Sequence, residues 1–259
     1  MRRRRDVGWW GFLLVLGWAA VASAATLGSN DRALEAIRAR DPGDRDFSFL
    51  VVGDSRGPRS RFPQVAEEMR PVSGDFVFHL GDLTNRGTSK EYEEVQRSLD
   101  SLGRPVLAVM GNHDVGGGAE SVYQKMMKEA GFSVLRNQAV EDGQINFIGA
   151  EDSMFYHPET AQLLRDDRYN LVISHEPDYA KQAGKFGLLV AGHTHGGQIA
   201  LPFYGALVKV PGGKTYTAGL YETENGKVYV NRGIGTTHWP LRFFARPEIT
   251  IFHFLPADA

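Results

Sequence analysis

Five short apolar runs, at residues 47–52, 76–80, 106–110, 171–173 and 188–191, each stop at a glycine or serine followed by acidic, amide or imidazole side chains. Predominantly apolar runs of this length, interrupted only by Ser48 and His79, are too short for helices, so they read as strands buried on both faces. A further run at 145–148 belongs to the same set. Strands of this kind need cover on both sides, and in open α/β sheets ligands bind beyond the carboxyl ends of the strands. The polar signatures stand at those ends.

Helical patterns separate several of the runs. Thr88 followed by Glu91 makes a capping box, and Tyr92, Val95, Leu99 and Leu102 recur at helical spacing, which predicts a helix from Thr88 to about Leu102. Further helices are predicted over 63–69 and 119–130. The last third lacks long helical patterns and is punctuated by Gly and Pro, with strands predicted at 201–210, 214–221, 227–231 and 248–254. The expected architecture is α/β: two packed mixed sheets flanked by helices, in one domain over residues 47–255. Residues 25–46 form a polar linker or edge segment with a short helical patch at Leu34 and Ile37.

The chain opens with Arg2 to Arg5, an almost wholly apolar stretch at 7–22, and Ala22-Ser23-Ala24, a small-x-small pattern that a signal peptidase accepts. Residues 1–24 therefore read as a signal peptide or an N-terminal membrane anchor. The expected location is the periplasm or the outer face of the inner membrane of a bacterium, with membrane association through the N-terminus if the leader is retained. Without Arg2 to Arg5 and Asp6, 25 basic residues face 30 acidic ones, a formal charge of −5. That balance argues against a nucleic-acid duplex as partner.

The chain has no cysteine, which excludes a cysteine nucleophile, an iron–sulfur cluster and a thiolate zinc site. Any metal must be held by His, Asp, Glu or Asn. Singly, Gly53-Asp54 or Gly81-Asp82 is an ordinary turn, and Gly111-Asn112-His113-Asp114 is a plausible capped loop. His193-Thr194-His195 between glycines is more specific, because two imidazoles two residues apart in a loop seldom have a structural use. Together, Asp, Asn and neutral His donors suit Mn, Fe or Zn, and two such ions stabilise both the nucleophile and the charge of a phosphate ester under attack.

The series Gly-Asp, Gly-Asp-x-x-Asn-Arg-Gly, Gly-Asn-His-Asp, His and Gly-His-x-His resembles the calcineurin-like metallophosphoesterases. Gly192 to Gln198 with Arg232-Gly233-Ile234-Gly235-Thr236 resembles one bacterial branch of that family, which includes membrane-associated phosphodiesterases and a pyrophosphatase acting on UDP-diacylglucosamine. The resemblance implies a four-layer αββα fold with two divalent metal ions at its rim. Asp82 would bridge both ions, with Asn112, His175 and His193 completing one site and Asp54 and His195 on the other. A hydroxide between the ions would attack phosphorus in line. His113 would protonate the leaving oxygen or stabilise its charge, Arg86 would hold a phosphate oxygen, and Asp114 would orient His113 or cap the loop.

One position departs from the family pattern. Its first motif reads Asp-x-His, with the His as a ligand, but here Arg56 stands third. A guanidinium has no acceptor and stays protonated, so it cannot ligate a metal. The expected consequence is a second metal site weaker than the first. Asn85 would replace the missing ligand through its carbonyl, or Arg56 would bind phosphate itself, or it would point into solvent. The implied activity is exported hydrolysis of a phosphodiester or pyrophosphate, on a small phosphoester or a lipid-linked phosphate. The alternative is a catalytically impaired binding protein with a single tight metal site. Outside the motifs, His79 reads as packed in its strand, His157 as a loop residue before a helix start, and His253 as solvent-facing. His238 reads as a candidate substrate contact. Phe203, Tyr204, Trp239, Phe243 and Phe244 read as β-core rather than as an apolar lip.

Overall fold

A computed structural model describes residues 47–56, 61–115 and 134–255, with Glu35 and Ala39 besides. The leader, the Leu34 and Ile37 patch and the helix expected over 119–130 lie outside the described residues.

Two sheets carry the fold. The first is four-stranded: β1 (Phe47–Val52), β2 (Phe76–His79) and β3 (Val106–Ala108) run parallel, and β12 (Thr250–Phe254) pairs antiparallel with the outer edge of β1. The second has six strands. β5 (Ile145–Gly149), β6 (Tyr169–Ser174), β7 (Leu188–Ala191) and β11 (Gly226–Val230) form its parallel centre, edged by antiparallel β4 (Gln138–Asp142) and β10 (Gly219–Thr223). A two-stranded hairpin of β8 (Ala200–Leu201) and β9 (Gly205–Ala206) follows β7.

Alternate side chains of the parallel strands divide between two faces, as the pleat requires. Phe47, Phe49, Val51, Phe76, Phe78, Leu107, Phe147, Leu171, Ile173 and Val190 meet in the core between the sheets. Phe49 lies 4.6 Å from Phe78, edge to face, and stacks on Phe252 at 5.2 Å. The other face of the first sheet, with Leu50, Val52, Val77 and Val106, is covered by α1 (Phe62–Met69) and α2 (Ser89–Asp100). Thr88 caps α2 in a complete capping box with Glu91. Among the described residues the outer face of the second sheet is covered by short 3₁₀ turns at Ala161–Leu163 and Pro177–Lys181, with Tyr179, Ala180 and nearby Ala183 packed on it. The two packed mixed sheets are as the sequence predicts.

Two further differences stand out. Strand β4 lies outside the predicted set; it joins β5 through the two-residue loop Gly143-Gln144, whose glycine takes the positive φ of 50° that such a turn needs. The expected strand over 201–210 is only the short hairpin β8–β9, and its aromatic residues face outward instead of into a core.

Phe49→Ala should lower unfolding free energy by about 3–5 kcal/mol, the usual range for deleting a buried aromatic ring. Urea denaturation in chelator, which removes any metal contribution, measures this. A loss below about 1 kcal/mol would contradict an inter-sheet core centred on this ring.

Candidate metal centre

The parallel strands of both sheets point their carboxyl ends to the same edge. There β1 delivers Asp54, β2 Asp82, the loop after β3 Asn112, β6 His175 and β7 His193 with His195. Asp54, Asp82, His193 and His195 all take left-handed backbone, with φ of 51°, 54°, 68° and 50°. This conformation turns the chain sharply at the strand end and aims each side chain back over the sheet edge. Asp and His tolerate it better than β-branched residues. Gly111 is required for another reason: a Cβ there would overlap the Asp82 carboxylate and lie 2.7 Å from the His175 ring.

His175 Nε2 is the meeting point of one half of the site. It lies 3.2 Å from His193 Nδ1, 3.3 Å from Asn112 Oδ1 and 3.4 Å from Asp82 Oδ1. The far nitrogens are used elsewhere: His175 Nδ1 donates to the Leu80 carbonyl at 2.6 Å, and His193 Nε2 to that of Pro211 at 2.7 Å. Such bonds fix the tautomers, so His193 Nδ1 and His175 Nε2 face each other with lone pairs. Something positive must lie between them. In the metal-free protein that is a proton: although burial opposes it, the charge of Asp82 beside the ring holds His175 protonated well above the usual imidazole range. His193, buried beside His175, is pushed down to about 4. A divalent cation in place of this proton would meet Asp82, Asn112, His175 and His193, a donor set suited to Mn, Fe or Zn.

The other half holds Asp54 and His195. Asp54 is fully buried; its Oδ2 accepts from the His193 backbone N–H at 3.1 Å. Its Oδ1 has no hydrogen-bond partner and lies 3.4 Å from His195 Nε2. Burial, with Asp82 nearby, pushes Asp54 up to about 6, and burial, with Arg242 and Arg56 nearby, pushes His195 down to about 3. An orphaned, buried carboxylate oxygen facing an imidazole fits a cation. Oxygen or nitrogen atoms of Asp54, Asp82 and His175 lie within 4.8 Å of one another, as do those of His175, Glu176 and His193.

Arg56 decides how these halves differ. It is buried, not solvated: its Nε donates to Asp82 Oδ2 at 2.6 Å and its Nη2 to Thr237 Oγ1 at 3.3 Å. It therefore stands on the carboxylate expected to bridge the ions. Asp82 is held charged, well below the usual carboxylate range: burial works against it, but His175 and Arg56 overcome the penalty.

Other expected site residues stand apart. Asn85 and Arg86 are exposed, and their segment is fixed through backbone N–H groups donated to Glu91, so the side chain of Asn85 does not fill the missing ligand position. Asp114 is a loop clamp. Its carboxylate accepts from the backbone of Leu83, Thr84 and Gly111 and from the Thr84 hydroxyl, at 2.9–3.2 Å. Those four bonds leave it no capacity to orient His113. His113 is half-buried at the rim; its backbone N–H donates to Asp82 Oδ1 at 3.0 Å, and burial lowers its pKa. His79 is packed in β2 against the Ser55 hydroxyl, and His238 is exposed.

Three residues outside the motif set also contribute. Thr237 joins Arg56 to His195, its Oγ1 lying 3.2 Å from His195 Nε2. Arg242 packs behind His195, donating to the carbonyls of Gly235, His195 and Ala245 and placing Nη2 3.2 Å from His195 Nδ1. Its only signal was a cation within Leu241-Arg242-Phe243-Phe244. Glu176, beside His175, is buried and pushed up to about 8 by burial, with Asp152 adding to the rise.

The fold and this cluster of carboxylates and imidazoles define a metal-dependent phosphoesterase. The family model of calcineurin-like phosphoesterases matches residues 47–197, and the chain belongs to that family. It is 40% identical over 191 residues to YkuE of Bacillus subtilis strain 168, a metallophosphoesterase described as uncharacterised; the match covers 69% of this chain and 67% of YkuE. Phosphodiesterase YaeI of Escherichia coli K12 is 31% identical over 188 residues, 68% of this chain and 69% of YaeI. A solved crystal structure with a TM-score of 0.51 at 12% identity, covering 80% of this chain and 94% of its own, shares the fold.

Two outcomes follow from the geometry. Metal uptake should displace the His175 proton, so calorimetric titration with Mn²⁺ in buffers of different ionisation enthalpy should show about one proton released per ion, with affinity rising roughly tenfold per pH unit below the raised His175 pKa. Buffer-independent heats would contradict this. Arg56→His, which removes the guanidinium from Asp82 and supplies a ligand, should raise bound metal from about one ion per chain toward two, as read by elemental analysis.

Proposed function

We propose that the protein is an exported phosphodiesterase or pyrophosphatase acting on a phosphate group that carries two substituents. The observation that carries this reading is the buried Asp82, contacted together by Arg56, His113 and His175 at the shared edge of two sheets. Export rests on Arg2 to Arg5, the apolar stretch at 7–22 and Ala22-Ser23-Ala24. The preference for a diester is supported by the E. coli relative named as a phosphodiesterase.

Asp82, Asn112, His175 and His193 would hold one divalent cation, and Asp54, Asp82 and His195 would hold a second, more weakly. Bound there, the ions supply positive charge to the phosphoryl oxygens and acidify water. The chain supplies the rest. Arg56 turns one edge of its guanidinium toward a phosphate oxygen, a planar fork suited to that anion. His113, at the open rim, donates a proton or a hydrogen bond to the leaving oxygen. Burial keeps its imidazole neutral, and the negative charge of a bound phosphate raises its pKa again, so that the acid forms with substrate in place. Asp114 holds the loops after β2 and β3 in register. Thr237 keeps Arg56 and His195 at a fixed separation.

The Arg56–Asp82 pair also favours a second reading, a binding protein with one tight metal and little turnover. Hydrolysis of a generic aryl phosphodiester with added Mn²⁺ separates the two, since measurable multiple turnover excludes the second.

His113→Ala should lower kcat by roughly a hundredfold or more, the scale for a positioned acid, with metal content unchanged. The loss should shrink as the leaving group becomes more acidic. A uniform loss across leaving groups would mean damage to the Asp82 loop instead. Arg56→Ala should cost about 1.5–3 kcal/mol of transition-state stabilisation if it contacts phosphate, roughly tenfold to a hundredfold in kcat/KM.

A further inference from the structure

Fourteen large apolar side chains are exposed among the described residues, and nine of them lie in just two segments, 201–208 and 239–244. Scattered exposure of this kind is ordinary, but a concentration marks an interaction surface. Phe203 is wholly outside the protein surface at 111% relative exposure, and Tyr204, Val208, Trp239 and Phe244 each exceed 60%. Phe203 and Phe244 have φ of 66° and 52°, a strained backbone for a bulky residue, and the strained geometry holds both rings outward.

The two segments form one body at the rim of the metal centre. The Ala200 N–H donates to the Phe243 carbonyl at 2.9 Å, and the Phe243 N–H to that of Gln198 at 3.0 Å. The Gln198 amide donates to the Thr237 and Trp239 carbonyls, and Thr237 contacts both Arg56 and His195. The lip thus begins one residue from the site.

Charge identifies what it meets. No Asp or Glu occurs between Asp178 and Glu222 or between Glu224 and Glu248, in a chain that is acidic overall. The exposed charges flanking the two segments are cationic, Lys209 and Arg246; the Asp178 carboxylate is half-buried and taken up by the backbone N–H groups of Lys214, Thr215 and Tyr216. Aromatic rings ringed by Lys and Arg suit the interface of an anionic bilayer, where the rings enter the headgroup region and the cations meet lipid phosphates.

We propose that this lip docks on an anionic lipid bilayer and presents the metal centre to phosphate esters of amphiphiles held in that bilayer. The substrate class rests on the hydrolase reading above; the docking does not.

The chain has four tryptophans, Trp9, Trp10, Trp18 and Trp239, so in the full chain carrying Trp9→Phe, Trp10→Phe and Trp18→Phe the lip holds the sole indole. Its emission should shift blue and be quenched at least twofold by vesicles of phosphatidylglycerol with brominated acyl chains, less by brominated phosphatidylcholine, and less at high salt. A leader that anchors the chain by itself cannot produce this signal. Phe203→Ser with Phe244→Ser should abolish the quenching, while hydrolysis of a soluble aryl phosphodiester stays as before; that assay reports on the hydrolase reading separately. An indole that stays accessible to iodide and unquenched in phosphatidylglycerol vesicles overturns the proposal. So does an indole already shielded without vesicles, which would mean that a second copy or the leader covers the lip.

Discussion

The charge on Asp82 is the constraint on which the rest of the structure depends. A carboxylate with no solvent contact is strongly unfavourable unless donors and cations surround it, and here Arg56 Nε, the His113 backbone N–H and His175 all face it. These partners come from the ends of β1, β3 and β6, so solvating one carboxylate fixes how the two sheets meet. Asp54 is less well served, with one oxygen unpartnered, and burial pushes its pKa up accordingly. The metal-free centre is therefore uneven: one half is neutralised by a proton and a guanidinium, and the other is left short of positive charge.

The backbone is bent to allow this convergence. Four candidate ligands sit in left-handed turns, each such turn costing on the order of 1–3 kcal/mol. Asp114 offsets part of that strain by accepting four hydrogen bonds from the loops after β2 and β3. The glycine-rich return segment closes the site from behind: the Ile234 and Gly235 N–H groups donate to the Gly53 and Asp54 carbonyls, and a Cβ on Gly235 would collide with both Arg56 and Asp54. The Arg232–Glu248 ion pair anchors the same segment to the approach of β12. Strain at these turns is thus balanced by packing of the last third of the chain, whose β10, β11 and β12 complete the two sheets despite its different pattern.

Much of this was legible because the chemistry lies in contiguous motifs at the ends of predominantly apolar runs. A strand buried on both faces announces itself by composition, and its end marks where a ligand must stand. That Asp54, Asp82, Asn112, His175, His193 and His195 converge at one edge could be anticipated in this way. Residues acting across the chain were not: Thr237 and Arg242 reach His195 from more than forty positions away, and nothing local marks them. Asn85, expected as a ligand from its place in the motif, is instead exposed, with its segment held through its backbone by Glu91 and its own backbone hydrogen-bonded to His113. The lip was misread for a different reason. Aromatic residues among Gly and Pro look like strand core, and only tertiary structure shows that Phe203 and Trp239 are exposed among the described residues.

Arg56 connects these levels. An imidazole at its position would face one metal, whereas the guanidinium spans two partners, Asp82 on the metal side and Thr237 on the lip side. In the metal-free protein it is the counter-ion that lets Asp82 remain charged in the core. Were cations to occupy the centre, they would replace that counter-ion, and the guanidinium N–H groups not held by Thr237 would be free to meet an anion. The same side chain can then stabilise the empty site and bind the anion in the filled one. A histidine cannot alternate between these roles without giving up its metal. The arginine therefore places a fixed positive charge between the buried Asp82 carboxylate and the Thr237 segment, where an imidazole would place a neutral donor.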